Sequence, residues 1–331
     1  MSCALTLGQE ALPLREAYLN SAPQAWEDYR QWATHLQGTC IFKSRYLYTE
    51  PAQQGSYHWI TEFKQRKGSA LLLEQEVVQN SKAVDTAFAR VVNPQYGFEL
   101  TRKVSEAPWV VSQYAPHLTF GGPWAPLKWV EKVAAYPVNL SALGLKVDYP
   151  SLDPAFKLVS VTAIPRDGRA LAKVEFTFSP AKRVDVWLRG GWIIYDPDAH
   201  WVQRECSLNF QRADESAEKL VDGVYTATFE YNEGKPRFPL LKRIAARCEI
   251  PAKTFTNDET YEFRLQESEV PENAFALSAF GFPDPVGAPK VARGGISWYI
   301  WFAVIGFACL GAAFLLRRGL PWRAKGEPRS A

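Results

Sequence analysis

Hydrophobic positions change their period twice along this chain. At Ala22, Ala25, Trp26, Tyr29, Trp32, Ala33 and Leu36 they recur at the 3.6-residue spacing of a helix. Ser21 and Gln24 have the spacing of a capping box, Pro23 suits a first turn and Gly38 is a stop, so a helix is predicted over Ser21–Gly38. A shorter helix is predicted before it, at Leu14–Leu19. From Thr39 to about Val111 the period falls to two. Cys40, Phe42, Tyr46 and Tyr48 alternate with Lys43 and Arg45, and Tyr57, Trp59 and Phe63 alternate with His58 and Glu62. Ala70-Leu71-Leu72-Leu73 leads a third strand, and Tyr96, Phe98 and Leu100 mark another after the turn at Asn93-Pro94.

The second half carries the clearest alternation. One face collects Ala172/Val174/Phe176/Phe178, Val184/Val186/Leu188, Val202/Cys206/Leu208/Phe210, Tyr225/Ala227/Phe229/Tyr231, Ile244/Ala246/Cys248/Ile250 and Tyr261/Phe263/Leu265. The other face is polar throughout, for example Lys173/Glu175, Thr226/Thr228/Glu230 and Glu262/Arg264. That is an antiparallel sheet with one wet face. Connections are too short for crossover helices, which excludes a parallel βαβ fold. Between the halves, residues 117–149 break the alternation. GGPWAP opens them, Leu127–Ala135 has helical spacing and Pro137 ends it, so an insertion with one or two short helices is expected.

After the last strand the chain changes character. Residues 271–295 are rich in Pro and Gly and read as a stalk. Ile296 to Leu316 is uncharged, and at ~1.5 Å per residue it reaches roughly 30 Å, the thickness of a bilayer's hydrocarbon core. Trp298, Tyr299 and Trp301 suit one headgroup level, and Arg317 and Arg318 close the other end. Residues 317–331 carry five basic side chains against Glu327, so the positive-inside rule places this tail in the cytoplasm and residues 1–295 outside it. Export needs a signal, and residues 1–11 are read as the remnant of one; a tail-anchored protein with a cytoplasmic body is the competing account.

The net charge of +3 is concentrated in that tail. The body is close to neutral and has no basic surface for nucleic-acid phosphates. With 12 Trp, 14 Tyr and 19 Phe, the composition suits a sheet whose face is covered by wide rings.

The order helix, long hairpin strands, insertion and meander from Lys157 to Glu269 resembles the bacterial LolA/LppX-type lipoprotein-carrier superfamily. The local wording is similar as well: Val92-Asn93-Pro94-Gln95-Tyr96-Gly97-Phe98-Glu99-Leu100, Trp192-Ile193-Ile194-Tyr195-Asp196-Pro197, and the Gly-led hairpin Gly223–Tyr231 running to Phe238-Pro239-Leu240. The likeness covers roughly residues 15–270; the membrane span departs from it. It implies a mainly β (α+β) fold, a large curved antiparallel sheet or half-barrel over residues 12–270 with covering helices, whose concave face holds an apolar guest such as an acyl chain.

Chemistry-bearing motifs are sparse. Asp196, Asp198 and His200 stand at alternate positions, which suits either a metal-ligand set or a turn in which the Asp side chains bond their own backbone; the turn is the simpler reading. Cys206 and Cys248 lie on strands two apart, Cys206 falling near residues 229 and 242, beyond disulfide reach. No nucleophile motif or phosphate loop occurs, so no catalytic residue, metal or cofactor is assigned. Arg204 and Lys242 interrupt the apolar face. They either snorkel at its rim or meet an anionic headgroup there. The candidate ligand residues are Phe176, Phe210, Phe229 and Phe263 near the centre of the face, with Arg204 and Lys242 at its mouth. The leading reading is a non-enzymatic, membrane-tethered module binding lipid or a lipoprotein segment. The alternatives are an envelope sensor or interaction module with a self-filled core, and a hydrolase.

Overall fold

The computed structural model describes residues 11–48, 54–77, 86–103, 107–116, 130–131, 133–134, 136–138, 154–179, 186–213, 220–232 and 237–285. Residues 1–10 of the predicted signal remnant, most of the insertion, the membrane span and the basic tail lie outside the described residues. Met1–Val286 forms one compact unit, and Gly287–Ala331, divided from it, is also outside them. Among the described residues no helix is long and apolar enough to cross a membrane.

Two meanders build the body. The first runs through β1 (Leu36–Leu47), β2 (Gly55–Arg66), β3 (Ser69–Glu76), β4 (Ala87–Val92), β5 (Tyr96–Arg102) and β6 (Val110–Pro116). The second runs through β7 (Phe156–Arg166), β8 (Arg169–Phe178), β9 (Val186–Asp196), β10 (Val202–Ala213), β11 (Leu220–Tyr231), β12 (Leu241–Ile250) and β13 (Phe255–Glu267). Antiparallel pairing of β1 with β13, Cys40 opposite Phe263, joins them into one open 13-stranded sheet with β6 and β7 at its edges.

A single helix, α1 (Ala11–Ala33), replaces the two predicted ones. Pro23 lies inside it, so the expected start at Ser21 is corrected. Proline removes one N–H that would bond four residues back, but Leu19 at that position is 50% exposed and water can serve its carbonyl. Gly38 lies in β1 and does not end the helix. A Cβ there would strike the Arg264 carbonyl, so the glycine lets β13 close on β1.

α1 packs on one face of the sheet, the inner face. Tyr18, Trp26 and Tyr29 are almost fully buried; Trp26 Nε1 donates to the Trp201 carbonyl at 2.9 Å and Tyr29 Oη to the Pro239 carbonyl at 3.2 Å. Residues 130–131 and 133–134 are helical, as their spacing predicts, and Val130, Val133, Ala134 and Tyr136 join the same core. The Pro137 carbonyl accepts the Gln203 N–H at 2.8 Å, tying this segment to β10.

The first half of the expected stalk is corrected. Residues 272–280 form two 3-10 turns that pack on β3–β5 from the outer face. Phe275 is fully buried, Phe280 meets Phe98 edge-on at 5.8 Å and Asn93 Nδ2 donates to the Phe275 carbonyl. The cause is local. Leu71, Val91 and Phe98 make the outer face of β3–β5 apolar as well, and something must cover it.

Candidate functional site

Strand register assigns the inner face row by row. Phe229, Ile244, Tyr261, Phe42 and Trp59 form one row across β11, β12, β13, β1 and β2. The next is Ala227, Ala246, Glu259, Ser44 and Tyr57, and the third is Tyr225, Cys248, Asn257, Tyr46 and Gly55. Glu259 thus stands in a row of small, buried neighbours, Ala227, Ala246 and Ser44, with Tyr57 at the row's exposed end and ring-bearing rows on either side.

The four predicted phenylalanines all point into one continuous core. Phe176, Phe210, Phe229 and Phe263 are 3–5% exposed, the last beside Tyr136 at 5.8 Å. The inner face opens elsewhere. Tyr48 and Tyr57 retain 38% and 48% exposure, Tyr57 stacked on Tyr46 at 5.5 Å and Tyr48 against Phe255 at 4.9 Å. The alternation of β1 already named Phe42, Tyr46 and Tyr48.

Arg204 and Lys242 lie differently from strict alternation. Gln203 opposes Tyr195 and Glu205 opposes Ile194, so Arg204 is the extra residue of a β-bulge. Glu230 opposes Arg243 and Tyr231 opposes Leu241, so Lys242 is the extra residue of another. Each bulge takes its cation out of the period-two count. Both cations line a cleft of about 1160 Å³ together with Arg166, Glu205, Thr228 and Glu230. At its base Asp196, 1% exposed, accepts from Arg204 and from Arg169 Nη1 at 3.2 Å. Arg204 also lies over the Tyr231 ring at 4.7 Å. Acidic and basic groups alternate around this cleft and its cations are largely spent on neighbouring carboxylates.

A 3-10 turn at Pro197–Ala199, with Asp198 inside it, runs between Asp196 and His200. The Asp196 side chain makes no cap bond; its carboxylate goes to the two arginines, which corrects the expected bonding to its own backbone. His200 Nε2 meets the Arg237 carbonyl at 3.1 Å. Cys206 opposes Ala227 and then Ala246, a register two to four residues from the one expected, and Cys206 and Cys248 remain free thiols two strands apart.

Glu259 escaped the sequence reading. Its Oε1 accepts from Asn257 Nδ2 at 2.7 Å and its Oε2 from Tyr261 Oη at 3.0 Å, while Ser44 Oγ donates to Asn257 Oδ1 at 2.7 Å. Burial is the first cause that raises its carboxyl pKa, against the two bonds that lower it. Its charge in turn raises the Tyr225 hydroxyl and helps push the Cys248 thiol up to about 12, with burial the larger cause in both. Extending the Tyr261/Phe263/Leu265 alternation backwards would have placed Glu259 and Asn257 on the apolar face.

No family model matches the chain, and no curated protein matches it in sequence. Among solved structures it is similar to a putative outer membrane lipoprotein-sorting protein domain from Vibrio parahaemolyticus, at 11% identity and a TM-score of 0.37, covering 78% of this chain and 99% of that one. It is similar to a LolA superfamily protein from Nitrosomonas europaea at 9% identity and a TM-score of 0.34, covering 77% and 97%. It is similar to LprF from Mycobacterium bovis at 12% identity and a TM-score of 0.30, covering 76% and 94%.

Proposed function

We propose that this protein is a non-enzymatic module, tethered by the Ile296–Leu316 span with its body outside the cytoplasm, that takes an acyl chain or a lipidated peptide onto the inner face of its sheet. One observation carries the reading. The inner face is closed over Phe176, Phe210, Phe229 and Phe263, yet stays open at Tyr48 and Tyr57. Each Å² of such surface removed from water is worth about 25 cal/mol, so an apolar guest has a driving force there. In this arrangement Phe229 and Phe263 wall the patch from the core side, and Arg204 and Lys242 serve the polar cleft.

The test is solvent extraction of the full chain purified from its own membranes, followed by lipid mass spectrometry and uptake of a fluorescent fatty acid. A bound lipid in near-stoichiometric amount, displaced by the fatty acid, is expected. Absence of both favours the second reading, a sensor or protein-interaction module whose core is filled by its own side chains. The near-complete burial of the four phenylalanines favours that second reading.

A further inference from the structure

We propose that Glu259 is the anchor for a primary ammonium group carried by the apolar guest, a proposal that rests on the reading of the inner face as a guest site. The carboxyl is carried in the row of Ala227, Ala246 and Ser44, with Ser44 between it and the 48% exposed Tyr57 at the border of the ring patch. It accepts one hydrogen bond on each oxygen, which leaves lone pairs on both. Among the described residues no lysine or arginine pairs with it. Tyr225, 4% exposed, has a hydroxyl without a partner and lies on the same face one row from Glu259, through Cys248 and Asn257. This stretch of the inner face therefore holds acceptors in excess: carboxylate lone pairs and those of a phenol with no partner.

A part-buried carboxylate is stabilised by a compensating charge. Tyr136 and Tyr261 stand 5.7 Å apart, and both carry the electrostatic imprint of Glu259. A primary ammonium supplies what is missing: one positive charge and three N–H donors, directed to the carboxylate and to Tyr225 Oη. The attached chain would then run over Tyr46, Tyr57 and Phe42. A carboxylate-headed guest would meet like charge, and an alcohol would bring a single donor and no charge. The shared chemistry has two sources, an amine that ends an apolar chain and a small soluble amine.

The experiment is equilibrium binding of radiolabelled dodecylamine, dodecanol, dodecanoate and butylamine to the full chain held in amphipol. Wild type should bind dodecylamine about ten-fold more tightly than dodecanol, the value of one charged hydrogen-bonded contact, and dodecanoate most weakly. Glu259→Gln should lower dodecylamine affinity about ten-fold and leave dodecanol within about two-fold, and Tyr225→Phe should lower dodecylamine alone, about three-fold. Retained dodecanol binding shows that the variants are folded. Equal affinity for dodecylamine and dodecanol, or a Glu259→Gln variant that binds dodecylamine as wild type does, overturns the ammonium site and leaves the apolar-guest reading standing. Failure of all three twelve-carbon probes sinks both. Butylamine binding as tightly as dodecylamine keeps the ammonium site and removes the apolar guest.

Discussion

Arg204 holds Asp196 through two donors on one oxygen, Nε at 3.1 Å and Nη2 at 2.6 Å. The aspartate is 1% exposed and the arginine side chain 21%. Removing the cation strands a buried carboxylate, whereas Arg169, 56% exposed, is a weaker second partner. Arg204→Ala should lower unfolding stability by about 2 kcal/mol and Arg169→Ala by less than about 1 kcal/mol in urea titrations. Equal losses would show that the bulge arginine has no special hold on Asp196.

Gly190 and Gly191 set the spacing of β8, β9 and β10. Both have φ of +139°, and a Cβ on Gly191 would overlap the Ser207 carbonyl of β10. Gly191→Ala is expected to destabilise the body by more than about 2 kcal/mol, because backbone must shift on a strand paired on both sides. Gly168, in an open turn with nothing near its Cβ position, is the control, and its alanine variant should cost about 1 kcal/mol from its positive φ alone.

Core and guest patch separate by mutation. Phe229→Ala should cost about 3–4 kcal/mol, the usual loss for a buried phenylalanine. Tyr57→Ala, at 48% exposure, should cost less than about 1 kcal/mol while weakening fatty-acid uptake. If Tyr57→Ala leaves uptake unchanged, the guest does not lie on this patch.

Glu259 makes stability depend on pH with a definite sign. Burial raises its carboxyl above the ordinary 4.5, so the folded chain binds the proton more tightly than the unfolded one. Its contribution therefore falls as pH rises from 4.5 through the raised value, and levels off above it. Glu259→Gln should raise the melting temperature at pH 7 and change it little below pH 4. A variant less stable at pH 7 than at pH 4, relative to wild type, would contradict the assignment.

Topology has its own measurement. Protease added to intact spheroplasts should digest residues 1–295 and spare the tail after Leu316. Full protection of the body would sink the orientation and, with it, the extracytoplasmic role.

Alternation in the sequence determined much of this protein: antiparallel strands, an apolar inner face, a polar outer face in the second meander and the helix that covers the core. These follow from side-chain periods of two and 3.6, which are local properties of the chain. The helix start did not follow, because the Ser21–Gln24 spacing and Pro23 favour a cap, and the packing of Tyr18 and Ala22 against the sheet carries the helix through them. Only the tertiary structure decided where Arg204 and Lys242 point, since a bulge shifts the alternation by one residue and is set by the partner strand's register. It also decided that β1 meets β13, which joins residues more than 200 apart, and so brought Ser44, Tyr225 and Glu259 onto one part of the inner face. Glu259 was visible in the sequence as one more acidic side chain. Its surroundings are a sum of four strands, and no local period carries that information.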